Sequence, residues 1–268
     1  MARVAIIIPA RFASSRFPGK PLARLTGPDG IARPLLDWTW DSAQSVPGVN
    51  EVVIATDDRR IADHAGKCGM AVVMTPASCT NGTERCAAAL PGLQQMPDIV
   101  VNLQGDAPLT PPAMVTAVIE RLAANPELAM TTAAVPANAA VLAHLQADQR
   151  AGRVGGTTVV CDCHGRALYF SKSIIPHVPI GATPEQPVLL HVGLYAYRPA
   201  ALALYVAQGS SVLERQEGLE QLRFLEAGLS PGVAVCPSPG WDLIELNNPT
   251  DRPLVEAQLR RRAQQESR

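Results

Sequence analysis

The chain has 268 residues, of which 47% are hydrophobic and 18% are charged, so it can bury a sizeable core and is not disordered. Its 23 Lys and Arg nearly balance 24 Asp and Glu, which argues against a protein that coats nucleic acid or an anionic membrane. No apolar run reaches the roughly 18 residues of a membrane span, and six cysteines are too sparse for a disulfide scaffold. We therefore expect a reduced, cytoplasmic protein without nucleic-acid or membrane partners.

In the first half of the chain, short apolar strands alternate with helical patterns. The pattern predicts strands at 4–8, 52–55, 71–74 and 98–103. Helices are predicted at 31–45, 59–68, 83–90 and 111–124. Strands that are repeatedly followed by helices indicate an α/β fold with a mainly parallel central sheet and helices on both faces.

The pattern changes after about residue 125. Strand-like segments follow without long helices between them, at 130–135, 157–161, 167–171 and 189–197. A helix at 212–227, a strand at 233–236 and a last helix from residue 253 complete the chain. No linker divides it, so we expect a single domain spanning 1–268, with an excursion at about 150–200.

The excursion includes a segment, 173–187, that is rich in proline and glycine. It carries more apolar side chains than a surface arm exposes, namely Ile174, Ile175, Val178 and Ile180. A patch of this kind is typical of an interface. We expect a symmetric dimer built from this middle region.

A basic loop follows the first strand, where open α/β sheets bind ligands. Between Pro9 and Lys20 it holds Arg11, Arg16 and two serines, Ser14 and Ser15. Arginine forks and a lysine charge suit phosphate oxygens, although the loop lacks the glycines of the dinucleotide and Walker motifs. The alternative is a solvated basic loop. The flanking buried strand and the two prolines of the segment favour phosphate binding.

The strand at 98–103 leads into Gln104-Gly105-Asp106. A carboxylate at a strand end that faces a phosphate loop is well placed to hold Mg²⁺, which takes one or two carboxylates together with substrate phosphates. Alone, Asp106 could instead cap the following turn; beside the basic loop, the metal interpretation is favoured. A second candidate, Cys161-x-Cys163-His164, lacks a partner pair at zinc-site spacing and indicates a strand that runs into a turn.

These motifs resemble the 3-deoxy-manno-octulosonate cytidylyltransferase family, also called CMP-Kdo synthetases, nearly from end to end. The segments that carry the resemblance are IIPARFASSRFPGKPL, VVIATDD, NGTERC, VNLQGDAPL, RALYFSKSIIP, HVGLYAYR and LERQEGLEQLRFLEAG, in the family's order and spacing. The resemblance implies a Rossmann-like nucleotide-diphospho-sugar transferase fold, CTP and Mg²⁺ as ligands, a sugar-acid acceptor and a homodimer.

The resemblance also implies site residues. The catalytic set is Arg11, Arg16, Lys20 and Asp106. The nucleotide-binding set is Pro9, Ala10, Arg11, Ser15, Lys20, Asn81, Gly82, Thr83 and Gln104. The acceptor set is Arg85, His191, Tyr195, Glu220 and Gln221. Metal binding falls to Asp106 with Glu245 and Asn247. From the residues alone, His191 is as well explained by packing between strands, and Glu220 and Gln221 by a solvated helix face.

Several positions depart from the family pattern. Ala107 replaces a glutamate, Cys79 a histidine, Asn81 a serine and Thr158 a lysine. Asn247 stands where the family carries its second metal aspartate, and Glu245 lies two residues earlier on the same face of an extended segment. We expect Glu245 to supply the missing carboxylate.

The predicted activity is CTP-dependent formation of a CMP-activated, Kdo-like sugar acid with release of pyrophosphate. Such transfer depends on positioning and charge stabilisation more than on covalent chemistry by the protein. One alternative is a cytidylyltransferase for another ulosonic acid or a phosphonate. Another is a nucleotide-binding homologue that has lost turnover, which Asn247 and Ala107 make conceivable. The missing glycine motif disfavours a dinucleotide oxidoreductase.

Overall fold

The computed structural model describes residues 2–14, 16–179, 181–182 and 184–266. Contacts divide the chain into two compact units, of which the first comprises residues 1–116 and 239–268 and the second residues 117–238. Compact units of contact can belong to one domain, so the single domain with an excursion at about 150–200 stays a prediction.

The strands of the described residues are β1 (Val4–Ala10), β2 (Arg24–Thr26), β3 (Ala32–Pro34), β4 (Glu51–Thr56), β5 (Val72–Met74), β6 (Ile99–Leu103), β7 (Met130–Pro136), β8 (Thr158–Cys161), β9 (Ala167–Ser171), β10 (Leu189–Tyr197) and β11 (Gly232–Val235). Nine of these eleven strands lie close to predicted positions, whereas β2 and β3 lie where no strand was predicted. The helices are α1 (Leu35–Gln44), α2 (Arg59–Lys67), α3 (Gly82–Ala89), α4 (Pro112–Ala124), α5 (Ala139–Arg150), α6 (Pro199–Gln208), α7 (Val212–Glu217), α8 (Leu222–Glu226) and α9 (Arg252–Glu266).

In the first unit, β6, β1, β4 and β5 form a parallel sheet in that order. The side chains of β1 from Val4 to Ile8 are buried, as a β-branched strand covered on both faces requires. Because β1 and β6 are parallel neighbours, their carboxyl ends meet at one edge of the sheet. A separate core of this unit packs α9 against the β2–β3 hairpin through Leu25, Val255 and Leu259.

In the second unit the strand order is β11, β7, β10, β8 and β9, with β11 parallel to β7 and the other pairs antiparallel. Its core gathers Ala134, Val159, Phe170, Leu222 and Val233. The predicted α/β class with a mainly parallel sheet is confirmed by the two units. None of the helices in the described part of the chain is both long and apolar enough to cross a bilayer.

Three predictions of local structure are wrong. The helix predicted at 31–45 begins only at Leu35, because Arg33 precedes a proline and is disfavoured in helical backbone. Helices α5 and α6 occupy a region where no long helices were expected; α5 is rich in alanine and presents only a weak apolar stripe. The helix predicted at 212–227 is interrupted at Gly218, whose φ of 63° ends α7.

The Cys161-x-Cys163-His164 segment is a strand end and a turn, as predicted. β8 ends at Cys161, and the backbone N–H of His164 donates to the Asp162 carboxylate at 2.9 Å. All six cysteines are free.

Candidate active site

A cavity of about 250 Å³ opens at the carboxyl ends of β1 and β6 in the first unit. It receives side chains from the basic loop, the start of α3, the end of β6 and the segment before α9. Of the predicted site residues, its walls include Pro9, Ala10, Arg11, Arg16, Lys20, Asn81, Gly82, Arg85, Gln104, Asp106 and Asn247. Ser15 lies outside the described residues, and Thr83 is buried in the helix wall behind the cavity surface.

The basic loop is folded back on itself. The backbone N–H groups of Ser14 and Gly19 both donate to the Phe12 carbonyl at 2.9 Å. Gly19 has a φ of 71°, and a Cβ at this position would lie 2.9 Å from Cζ of Phe12. Only glycine meets both conditions. The turn it makes starts the short helical segment that carries Lys20.

The three predicted phosphate-binding cations line the cavity and differ in their hydrogen-bond partners. The Lys20 ammonium donates to the Asp106 carboxylate. Arg16 donates from Nη2 to Oδ1 of Asn247 at 3.3 Å. Within the described part of the chain, the Arg11 guanidinium has neither a hydrogen bond nor an ion pair. Anionic oxygens that enter the cavity can therefore be met by Arg11 directly.

Asp106 and Asn247 line one side of the cavity, and Glu245, which is not part of its wall, lies against Asn247. The Leu246 N–H donates to the Asp106 carbonyl at 3.1 Å, which fixes the segment around Glu245 to the end of β6. Nδ2 of Asn247 donates to Oε2 of Glu245 at 3.3 Å. Burial, together with the nearby charge of Asp106, raises the pKa of Glu245 to about 7.

This cluster fits a hard divalent cation. Its donors are carboxylate and amide oxygens, the ligand class that Mg²⁺ takes. Burial raises the pKa of Glu245 and the charge of Asp106 raises it further, so the Glu245 carboxylate is poorly compensated by the positive charges around it. A cation between these groups would offset that repulsion, so the donor set favours the predicted metal residues Asp106, Glu245 and Asn247.

The wall opposite the carboxylates is built by the start of α3. Oδ1 of Asn81 caps the helix by accepting from the Glu84 N–H at 2.8 Å. The Glu84 carboxylate accepts from the Thr80 N–H at 2.7 Å and from its hydroxyl at 2.8 Å. These reciprocal bonds hold the loop 79–82 in place at a helix N-terminus.

Asn102, which the sequence analysis did not single out, is not part of the cavity wall but lies beside Gly82, which is. Its side chain is fully buried at the end of β6, and neither amide atom has a hydrogen-bond partner among the described residues. A Cβ on Gly82 would lie 3.1 Å from Nδ2 of Asn102 and 3.0 Å from Nε2 of Gln104. Two amides therefore lie directly beside Gly82. The signal in the sequence is a polar residue within the apolar run of β6.

Arg85 lies in the cavity wall but is already paired. Its Nη1 donates to the Thr75 hydroxyl at 2.6 Å and forms an ion pair with Asp57 at 3.2 Å. The side chain is 3% exposed. These contacts indicate that Arg85 braces the wall, and its assignment to the acceptor stays a prediction.

The remaining acceptor residues belong to the second unit, where the structure brings three of them together. The hydroxyl of Tyr195 donates to Oε1 of Gln221 at 3.2 Å. The His191 ring lies 5.5 Å from that of Tyr195, and its Nε2 is 2.9 Å from the Thr132 hydroxyl. Burial lowers the pKa of His191 to about 3, so the imidazole is neutral near pH 7. Glu220 is adjacent in sequence and half-buried.

A parallel α/β sheet that presents cations and a carboxylate at its strand ends is typical of nucleotide-binding enzymes. A family model described as Cytidylyltransferase matches residues 5–231. The 3-deoxy-manno-octulosonate cytidylyltransferase of Maricaulis maris is 42% identical over 255 residues, covering 94% of this chain and 95% of that protein. The mitochondrial protein of that name from Arabidopsis thaliana is 35% identical over 262 residues, covering 97% and 84%.

A solved structure of CMP:2-keto-3-deoxy-manno-octonic acid synthetase complexed with CTP has a TM-score of 0.83 to this chain. The two are 32% identical, and the match covers 98% of this chain and 100% of that one. The chain belongs to the cytidylyltransferase family and is a nucleotidyltransferase. The resemblance identified from its motifs is confirmed, as is the nucleotide-diphospho-sugar transferase fold.

Proposed function

We propose that this enzyme transfers CMP from CTP to 3-deoxy-manno-octulosonate and releases pyrophosphate. The observation that carries the proposal is the cavity at the ends of β1 and β6. Its walls combine Arg11, Arg16 and Lys20 with the Asp106 carboxylate and with Asn247, whose amide donates to the carboxylate of Glu245. The relatives named for this reaction, and the related synthetase solved with CTP, support the choice of substrates.

The basic loop would hold the triphosphate. Arg11 has no competing partner among the described residues and would bind phosphate oxygens directly, while Lys20 is within reach of them from the same loop. Gln104 and the buried amide of Asn102 would take the polar edge of the base beside Gly82, where a side chain would crowd both amides. An unpaired buried amide is costly, so a hydrogen-bonding base edge would be bound with selectivity.

Mg²⁺ would be held by Asp106 and Glu245, with Asn247 supplying an amide oxygen or a hydrogen bond. When bound, it supplies positive charge to the phosphate oxygens. The Lys20 ammonium contacts the Asp106 carboxylate, so the cation that would meet the phosphates lies next to the residue that would hold the metal.

The acceptor oxygen would attack the α-phosphorus in line, and pyrophosphate would leave. The protein's part is to hold both reactants and to stabilise the developing charge through Arg11, Arg16 and Lys20. His191, Tyr195, Glu220 and Gln221 would bind the acceptor. The neutral imidazole of His191 suits a sugar hydroxyl better than a carboxylate. The free cysteines support a reducing compartment, and we propose the cytoplasm.

Pyrophosphate release from CTP tests the proposal when it is measured with a panel of sugar acids. The expected result is turnover with 3-deoxy-manno-octulosonate and none without an acceptor or in the Asp106→Ala variant. Turnover only with another ulosonic acid or a phosphonate would support the alternative acceptors. CTP binding without turnover on any acceptor would indicate a homologue that has lost activity.

A further inference from the structure

Three metal-ligating side chains meet in the first unit, outside the cavity. They are Asp37 in the first turn of α1, His64 in α2 and Cys68 at the C-terminal cap of α2. Their ligand atoms all lie within 4.8 Å of one another. Because His64 and Cys68 are four residues apart, they share one helix face. The cluster is therefore formed by two side chains of one helix and a buried carboxylate from a different helix.

The contacts in this cluster converge on a single nitrogen. Nε2 of His64 is 2.6 Å from Oδ1 of Asp37 and 3.8 Å from Sγ of Cys68. A neutral ring nitrogen either carries a hydrogen or offers a lone pair, but never both. When Nε2 donates to Asp37 it cannot accept from the thiol. Among the described residues, His64 is also the one hydrogen-bond donor to the buried Asp37 carboxylate.

A cation satisfies all three groups at once, because each of them can direct a lone pair toward the same point. We propose that Asp37, His64 and Cys68 form a zinc-type site that ties α1 to α2. Imidazole and thiolate are ligands of borderline and soft metals, whereas the cluster around Asp106 offers only oxygen-type donors and suits Mg²⁺. The two sites therefore select different cations.

Four-coordinate zinc sets the separations that the three ligand atoms must reach. Standard zinc bond lengths place sulfur and nitrogen ligands about 3.6 Å apart and nitrogen and oxygen ligands about 3.4 Å apart. The observed sulfur–nitrogen separation is 3.8 Å, and the oxygen–nitrogen separation of 2.6 Å opens when the hydrogen between them is lost. Cys68 is exposed, so a water molecule can take the fourth position.

Protons and charge balance in the proposed step. The Cys68 thiol releases its proton to solvent, and the hydrogen on Nε2 of His64 is replaced by one on Nδ1, which leaves the ring neutral. One carboxylate and one thiolate then neutralise the two charges of the cation. Binding is therefore expected to release the thiol proton.

Cobalt(II) is the probe, because a cobalt–thiolate bond gives a charge-transfer absorption that oxygen and nitrogen ligands do not. The full chain, freed of metal with EDTA, is titrated with Co²⁺ in excess Mg²⁺. We expect one equivalent to produce the thiolate band and Zn²⁺ to displace it. Zn²⁺ should also raise the Tm of the wild-type protein.

Cys68→Ser should abolish the band, remove the Zn²⁺-dependent rise in Tm and weaken Zn²⁺ binding at least tenfold. Cys163→Ser, which alters another exposed cysteine beside a histidine, is the matched control and should change none of these. Asp37→Asn should weaken Zn²⁺ binding similarly. If that variant fails to fold, His64→Gln replaces it, because His64 is only half-buried. Absence of the thiolate band in wild type, or its survival in Cys68→Ser, would overturn the proposal.

Discussion

Lys20 contacts the Asp106 carboxylate and lines the cavity that would receive the triphosphate. Replacing it with alanine removes one charge-assisted contact, worth roughly 1.5 to 3 kcal/mol. We therefore predict that Lys20→Ala weakens CTP binding about ten- to a hundredfold, measured by calorimetry in the presence of Mg²⁺. Lys67→Ala removes the same charge from an exposed position and is the control. Unchanged CTP affinity in folded Lys20→Ala would refute phosphate binding by this loop.

Glu245 makes the stability of the metal-free protein depend on pH. Burial and Asp106 raise its pKa from 4.5 to about 7. The folded state therefore keeps this proton to higher pH than the unfolded chain, so stability falls as pH rises from 4.5 to 7 and is then constant. The slope for one group is at most about 1.4 kcal/mol per pH unit.

We predict that Glu245→Gln is more stable than wild type at pH 8 and equally stable at pH 4, because glutamine resembles the protonated acid at every pH. Urea unfolding in EDTA measures both differences. The glutamine carbonyl oxygen can still accept the hydrogen bond from Asn247, so the variant isolates the charge. Equal stability of the two proteins at pH 8 would mean that folding does not raise the pKa of Glu245.

Removing the Glu245 carboxylate should impair activity, although it stabilises the metal-free protein at pH 8. We predict that Glu245→Ala raises the Mg²⁺ concentration needed for half-maximal turnover, whereas Asp106→Ala is inactive. Asn247→Asp adds a carboxylate to the cluster and should keep or lower the requirement. If Glu245→Ala leaves the Mg²⁺ dependence unchanged, Glu245 is not a ligand and Asp106 serves with the phosphates alone.

At the scale of elements, α3 depends on the residue that caps it. Asn81 caps the helix and holds the loop that lines the cavity. We predict that Asn81→Ala lowers the free energy of unfolding by about 1 kcal/mol and also weakens CTP binding. Asn81→Ser retains a capping oxygen and should preserve stability. Urea unfolding and calorimetry on both variants test this. If Asn81→Ala and Asn81→Ser lose equal amounts of unfolding free energy and of CTP affinity, the capping oxygen is not responsible for either effect.

Elements with strong local signals were predictable from the sequence. β1, β4 and β6 are apolar, β-branched runs, and Asp58 marks the start of α2 by accepting from the Arg60 N–H at 2.9 Å. α5 was missed because its alanines provide helix propensity without an apolar stripe. The hairpin of β2 and β3 was missed because each strand has three residues, too few for a detectable alternation.

The residues of the candidate site also divide into those with a local sequence signal and those without one. The basic loop and Asp106 could be identified because each follows a buried strand. The approach of Glu245 to Asp106 depends on one long-range backbone bond, from the Leu246 N–H to the Asp106 carbonyl, which no local pattern encodes. Only the family resemblance indicated Glu245. Asn102 was overlooked because one polar residue in an apolar strand has little weight until its lack of partners is known.

At the scale of the whole molecule, the order of the chain explains why no linker was found. The first unit is assembled from two separated stretches, and α4 begins in one unit and ends in the other. A helix that passes between units leaves no polar, flexible segment in the sequence. The organisation of the chain therefore depends on contacts between distant segments, which composition does not report.

The expected homodimer also belongs to this scale. Ile174, Ile175 and Val178 of the predicted patch are not fully buried within the chain, and Ile180 lies outside the described residues. Leu168 on β9, in the same region, is 60% exposed, and together with the partly exposed isoleucines and valine it forms the kind of apolar surface that a partner would cover. An interface through this region would bury it.

We predict that light scattering at micromolar concentration gives twice the mass of one chain. Leu168→Lys should shift the protein to monomer, because an ammonium cannot be buried at a symmetric apolar contact without a counter-charge. Ile31→Lys makes the same kind of change at a residue in the first unit that is 58% exposed, and it should leave the dimer intact. A monomeric wild-type protein would refute the dimer. A dimer that persists in Leu168→Lys would place the contact elsewhere than on β9.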